Sequence, residues 1–170
     1  MEPTIELRVA ELLASRLCHD LISPVGAVNS GIELMTEFGD GLRLVAPVCA
    51  NQRTRVVIGD QSAGALPGPG AVKLLLNIAL VAGECLPRGG ELGITIGPDM
   101  AVLVSARGEG ARIEDNLRAA LDGSINGEDL DPKTAHGYFT HLAAKRLGIA
   151  FDVEAAPDHV AFAAKLPTSL

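Results

Sequence analysis

The sequence predicts an α+β protein in two parts: a helical hairpin over residues 1–61, then an α/β sandwich over residues 70–170. Three observations carry this. A long apolar seam of helical period opens the chain, a Gly- and Pro-rich linker interrupts it at 62–70, and helix and strand patterns then follow one another to the end. At 170 residues and 48% hydrophobic content the chain has material for a real core. Only four Phe and one Tyr, with no Trp, mean that this core is built from Leu, Ile, Val and Ala.

From about Pro3 to Phe38, Ala10, Ala14, Leu17, Leu21, Val25, Val28, Ile32 and Met35 recur at steps of three or four, the seam of a bundle helix. Pro24 interrupts it and predicts a kink. Gly39-Asp40-Gly41 is a turn signal, and Leu42, Val45, Cys49, Gln52 and Val56 continue a weaker seam, so a second, shorter helix folds back on the first. Two such hairpins make a four-helix bundle, which implies a homodimer. With the turn centred on Asp40, position 61 lies opposite His19. A second helix ending near Gly59 therefore leaves the start of helix one, with Ile5, Val9, Leu12 and Leu13, uncovered. Exposing such side chains costs on the order of 1.5–3 kcal/mol each, so either a partner's hairpin or the C-terminal part must cover them. Dimerisation is the favoured cover. Arg53-Thr-Arg-Val-Val-Ile-Gly59 is β-branched, however, and equally suits the start of a strand.

Beyond Ser62–Gly70, a helix is expected from about Gly70 to Cys85, then strands near 91–96 and 101–106. Helices near 113–122 and 132–147 and strands near 150–155 and 160–166 complete an antiparallel sheet with helices on one face.

Composition excludes several function classes. A net charge of −7 argues against nucleic acid and anionic membranes, which are bound through clustered Lys and Arg. Sparse aromatics leave no stacking platform for single strands. Cys18, Cys49 and Cys85 form no CxxC pair and fit reduced thiols. The acidic, periodic N-terminus lacks signal-peptide character, and the apolar run Ala71–Leu86 is broken by Lys73, Asn77 and Glu84. A soluble, cytoplasmic protein is expected. His136 and His141 are five apart and diverge, and His159 lies in a turn; all three read as surface or capping residues, and no metal site is assigned.

The segment Leu17-Cys18-His19-Asp20-Leu21-Ile22-Ser23-Pro24-Val25 carries the chemistry. At about 100° per residue, His19 lies roughly 160° from the centre of the seam and points outward. Its neighbours one and two turns away, Ser15, Arg16, Ile22, Ser23 and Gly26, are mostly small and leave it open to a docked protein. Neutral imidazole is nucleophilic near pH 7, and a carboxylate on one ring nitrogen fixes the tautomer that frees the other. Asp20 is placed to help, and Arg16 can pair with phosphate charge or an acidic partner surface. Helix position alone also suits an ordinary surface histidine.

The string His-Asp-Leu-Ile-Ser-Pro resembles the H-box of two-component histidine kinases, and LCHDLISPVGA over 17–27 resembles the ChpT family of histidine phosphotransferases. The resemblance makes His19 the phosphoacceptor, with Asp20 and Pro24 as motif companions. The second half resembles a kinase ATPase domain that has lost its nucleotide contacts. Leu74–Ala82 is similar to the N-box, with Asn77 present but Val81 where the magnesium-binding second asparagine belongs. Val104–Gly110 is similar to the D-x-G-x-G box, with Ala106 for the adenine-binding Asp. Thr134–Arg146 stands where the lid glycines belong and holds one glycine.

What the resemblance implies is a phosphorelay carrier. His19 takes phosphate from the receiver of a hybrid kinase and passes it to response-regulator receivers, with no cofactor of its own, because the partner receiver brings the Mg²⁺. The C-terminal part would supply a second surface for recognising the partner. Two readings compete: an atypical ATP-dependent kinase, against which the three losses speak, and a non-catalytic receiver-binding adaptor, against which the intact H-box speaks. The sequence departs from the family in one place. Members carry a long second hairpin helix with an Arg- and aromatic-rich stretch ending in Phe-Gly before the linker, and nothing here matches it.

Overall fold

A computed structural model describes residues 9–13, 53–61, 68 and 70–168. Five strands, β1 (Thr54–Gln61), β2 (Gly90–Ile96), β3 (Ala101–Arg107), β4 (Phe151–Ala156) and β5 (His159–Lys165), form one sheet in the order β1-β2-β3-β5-β4. Three helices, α1 (Ala71–Glu84), α2 (Asp115–Asp122) and α3 (Pro132–Arg146), complete the domain. Each element expected beyond residue 70 is present, with ends moved by two residues at most.

The strands form because their side chains alternate. Leu92, Ile94 and Ile96 on β2 and Val102, Val104 and Ala106 on β3 face the core, while Thr95 and Leu103 face water. Helix α1 is apolar almost all round and is correspondingly buried, with Leu74, Leu75, Ile78, Ala79 and Val81 all at 1% exposure or less. It packs on the sheet on one side and on α3 on the other. Helix α3 opens on a capping box: Asp131 Oδ1 accepts from the Thr134 amide at 2.7 Å, and Thr134 Oγ1 accepts from the Asp131 amide at 2.7 Å. Pro132 occupies the first turn, where no amide is needed, and Lys145 and Arg146 sit on the negative end of the helix.

Two expectations are corrected. Thr54–Gln61, counted in the hairpin part over 1–61 with a second helix ending near Gly59, is an edge strand of the sheet parallel to β2, the alternative that its β-branched run had left open. Parallel neighbours need a crossover, and α1 supplies it, so Ser62–Gly70 connects β1 to α1 rather than parting two domains. The β-branched run prevails because its pairing with β2 satisfies the backbone while Val56 and Ile58 pack against the core.

The second correction concerns the cover of helix one. Residues 9–13 are helical, and Val9, only 3% exposed, clusters with Ala120, Ile125, Leu130 and Ala135 of the same chain. Leu12 and Leu13 pack there too, beside Ala119 and Tyr138. The C-terminal domain, the second of the two expected covers, shields Val9 and packs against Leu12 and Leu13, Ala10 and Glu11 stay exposed on the other side, and Ile5 lies outside the described residues. Apolar contact within one chain costs no association entropy, so it is satisfied first.

Among the described residues no helix is long and apolar enough to cross a membrane. Of the three thiols, Cys85 is described and is fully buried against the Val81 carbonyl. Burial pushes its pKa up from 9.0 to about 11, which keeps it a protonated, inert thiol at neutral pH.

Candidate functional site

His19, Asp20, Arg16, Ser15, Ile22, Ser23, Gly26 and Pro24 lie outside the described residues. What the structure does describe is the platform that meets residues 9–13, and the segments that the resemblance matched to nucleotide boxes. Leu13, the last described residue of the docked segment, precedes His19 by six positions.

The segments that the resemblance matched to nucleotide boxes fall on α1, the β3 end and α3. One helical turn beyond Asn77, Val81 is 0% exposed and turned into the core, so its position offers a cation neither an oxygen nor access. Ala106, also 0% exposed, ends the buried face of β3 with a methyl group.

The loop after it needs Gly108 for packing. A Cβ on Gly108 would stand 2.4 Å from the Gly89 carbonyl oxygen, so this loop and the Gly89-Gly90 turn can touch only through glycine. The Gly110 amide, a possible phosphate donor, donates instead to Asp158 Oδ1 at 2.7 Å.

The segment expected in place of the lid is regular helix. Its amides bond within α3, and its one glycine, Gly137, faces α2, where a Cβ would lie 2.8 Å from Leu117 Cδ1 and 3.2 Å from Ala120 Cβ. Gly137 is therefore a helix-packing glycine rather than part of a phosphate cradle.

Asn77 is occupied as well. Its Nδ2 donates to the Lys73 carbonyl at 2.7 Å, which turns Oδ1 toward His136 Nε2 at 3.0 Å; since Oδ1 only accepts, the imidazole donates. This half-buried pair ties α1 to α3 across the space between them. The other histidines are also more enclosed than a surface role implies. His141 Nδ1 donates to the Leu121 carbonyl at 3.0 Å, capping the C-terminal end of α2, and stacks beside Tyr138 with ring centroids 6.0 Å apart. His159 opens β5 rather than lying in the turn, and its Nε2 is buried without a hydrogen-bond partner.

Sequence reasoning missed an open cleft of about 430 Å³ between α2, the end of α3 and β4. Arg118, His141 and Lys145 stand over an apolar floor that includes Leu121, Phe151 and Val153, and Arg118 reaches the Val153 carbonyl at 3.4 Å. Its residues come from three separated segments, so no motif or period could have shown it.

The chain is 26% identical to the protein phosphotransferase ChpT of Brucella abortus (strain 2308), over 94% of this chain and 96% of that one. Its fold matches a solved bacterial phosphotransferase with a TM-score of 0.66 at 23% identity, covering 96% of this chain and 98% of that chain. The histidine kinase domain of a blue-light activated kinase from Erythrobacter litoralis matches with a TM-score of 0.53 at 8% identity, over 96% and 92% of the two chains. A family model for the histidine phosphotransferase C-terminal domain matches residues 39–159, well over half of the chain, and the protein belongs to that family.

Proposed function

We propose that this protein is a histidine phosphotransferase of a phosphorelay, carrying phosphate on His19 between receiver domains. The observation that carries the reading is the family match over residues 39–159, which adjoins a chain segment bearing an intact H-box at 17–27. A free ring nitrogen of His19 attacks the phosphorus of a receiver's aspartyl phosphate. The P–N bond forms as the P–O bond breaks, and the receiver's carboxylate leaves. The proton on the other ring nitrogen is held by a carboxylate, for which Asp20 is the candidate. Arg16, with Ser15, Ile22, Ser23 and Gly26, frames the contact. The receiver brings the magnesium that balances the charge, so the carrier contributes position and an unprotonated imidazole. The partners are the receiver of a hybrid kinase and those of response regulators, in the cytoplasm. Incubation with phosphorylated receivers should yield a base-stable, acid-labile phosphoprotein; no transfer from any receiver of the source genome would defeat the reading.

ATP-dependent kinase activity is not part of this proposal. An adenine-reading carboxylate would contribute a charged hydrogen bond of about 1.5–3 kcal/mol and a second asparagine would offer the cation an oxygen, whereas buried Ala106 and Val81 stand at those positions. Calorimetric titration with Mg-ATP should show no binding at micromolar nucleotide. A micromolar dissociation constant would revive the kinase reading.

The domain organisation we propose is a helical hairpin ending before Thr54 and an α/β domain beginning with β1. The hairpin pairs with a second copy through the seam from Ala14 to Met35, the part of helix one beyond the segment its own domain covers. Sedimentation equilibrium at micromolar concentration should return the mass of a dimer. A strict monomer at high micromolar concentration would remove the four-helix bundle.

A further inference from the structure

Val9, Leu12 and Leu13 share one helix face, at i, i+3 and i+4, and the surface they meet is made by the ends of α2 and α3 and the loop between them. That cluster is separate from the main core, which lies between α1 and the sheet. It has its own apolar residues, Ile125 and Leu130, on a connection that the sheet does not need, and both are buried at 7% exposure or less. The α2–α3 unit is also fixed from both sides. Gly137 lets the two helices touch, the Asn77–His136 bond ties α3 to α1, and Val9 seats helix one on the outer face.

We propose that this contact is a clamp that sets the angle between the phosphoacceptor helix and the α/β domain, with Val9 as a positioning residue. The proposal rests on the phosphorelay reading of His19. The seam predicts that the helix clamped at Val9 runs on to His19, so holding one end fixes where the imidazole is presented relative to the domain. A receiver then meets a single preformed surface instead of two parts that must be ordered on binding, and preorganisation of that kind lowers the cost of docking. The chemical step itself, made by His19 and the receiver, is left alone.

The test uses the full chain carrying Val9→Asp, the milder Val9→Ala, the reciprocal Ile125→Asp, and the conservative Val9→Ile. Amide hydrogen exchange is read by mass spectrometry, and phosphoryl transfer from a phosphorylated receiver is read as KM and kcat. In Val9→Asp, exchange should rise across residues 119–138 while the sheet strands keep their protection. In Ile125→Asp, the rise should appear at residues 9–13. KM for the receiver should increase about ten-fold, equivalent to about 1.4 kcal/mol of docking, with kcat unchanged within about two-fold. Val9→Ala should move the same way by less, and Val9→Ile should restore the wild-type values. Unchanged exchange at 119–138, or a fall in kcat at constant KM as expected when part of the protein unfolds, would overturn the clamp. Transfer failing in wild type as well would defeat the phosphorelay reading, and the exchange data would then decide the clamp alone.

Discussion

His19→Ala should abolish phosphate acceptance while leaving the fold and oligomeric state unchanged. The chain has four histidines, and the other three are partly enclosed within the α/β domain. His136 Nε2 is engaged by Asn77, His141 Nδ1 by the Leu121 carbonyl, and His159 Nε2 is buried. None of the three stands on the small-residue helix surface that an acyl phosphate on a docked protein needs. His19, at roughly 160° from the seam centre by helical phase, is expected to contribute little to packing, so its loss should cost within about 0.5 kcal/mol of stability. Transfer of labelled phosphate from a receiver to wild type and variant decides the matter. Label that persists on the variant would move the acceptor to another histidine.

Much of the α/β domain was legible because its physics is local. Strand β2 declares itself by alternation and β3 by a short run of Val and Leu, and α3 by Asp131-Pro132 at its start and Lys145-Arg146 at its end. The identity of Val81 and Ala106 was legible for a different reason: a side chain without an oxygen where the resemblance expects one is a change of chemistry within a single letter. The rest depends on partners far away in the chain. Val56 suits a helix seam and a strand equally well, and only the register with Leu92 on β2 separates the two. The apolar face of Val9, Leu12 and Leu13 announces that something covers it, but not whether that is Ile125 of the same chain or a second copy. Asn77 and His136 lie 59 positions apart, and nothing in either neighbourhood predicts their bond.

Phe162→Ala should produce the largest loss of stability of any single truncation in the α/β domain. Phe162 sits mid-strand on β5, paired with Val104 on β3 and Val153 on β4, and is 1% exposed. Truncating a buried Phe costs about 3–5 kcal/mol, through lost transfer energy and the cavity left behind. Against a total stability of about 5–15 kcal/mol for a domain, that is a large share. The site is also poorly placed to collapse. With four Phe, one Tyr and no Trp in the chain, the surrounding Leu, Ile and Val side chains are short and already packed, and none can swing across the vacated volume. Urea unfolding followed by far-ultraviolet circular dichroism should show a lower midpoint with an unchanged slope. Leu103→Ala on the opposite face of the sheet, where Leu103 is 45% exposed, is the control and should stay within about 0.5 kcal/mol of wild type. If the two variants lost similar stability, the helices would not be covering the face that carries Phe162, and the assignment of Val81 and Ala106 to the same core would fall with it.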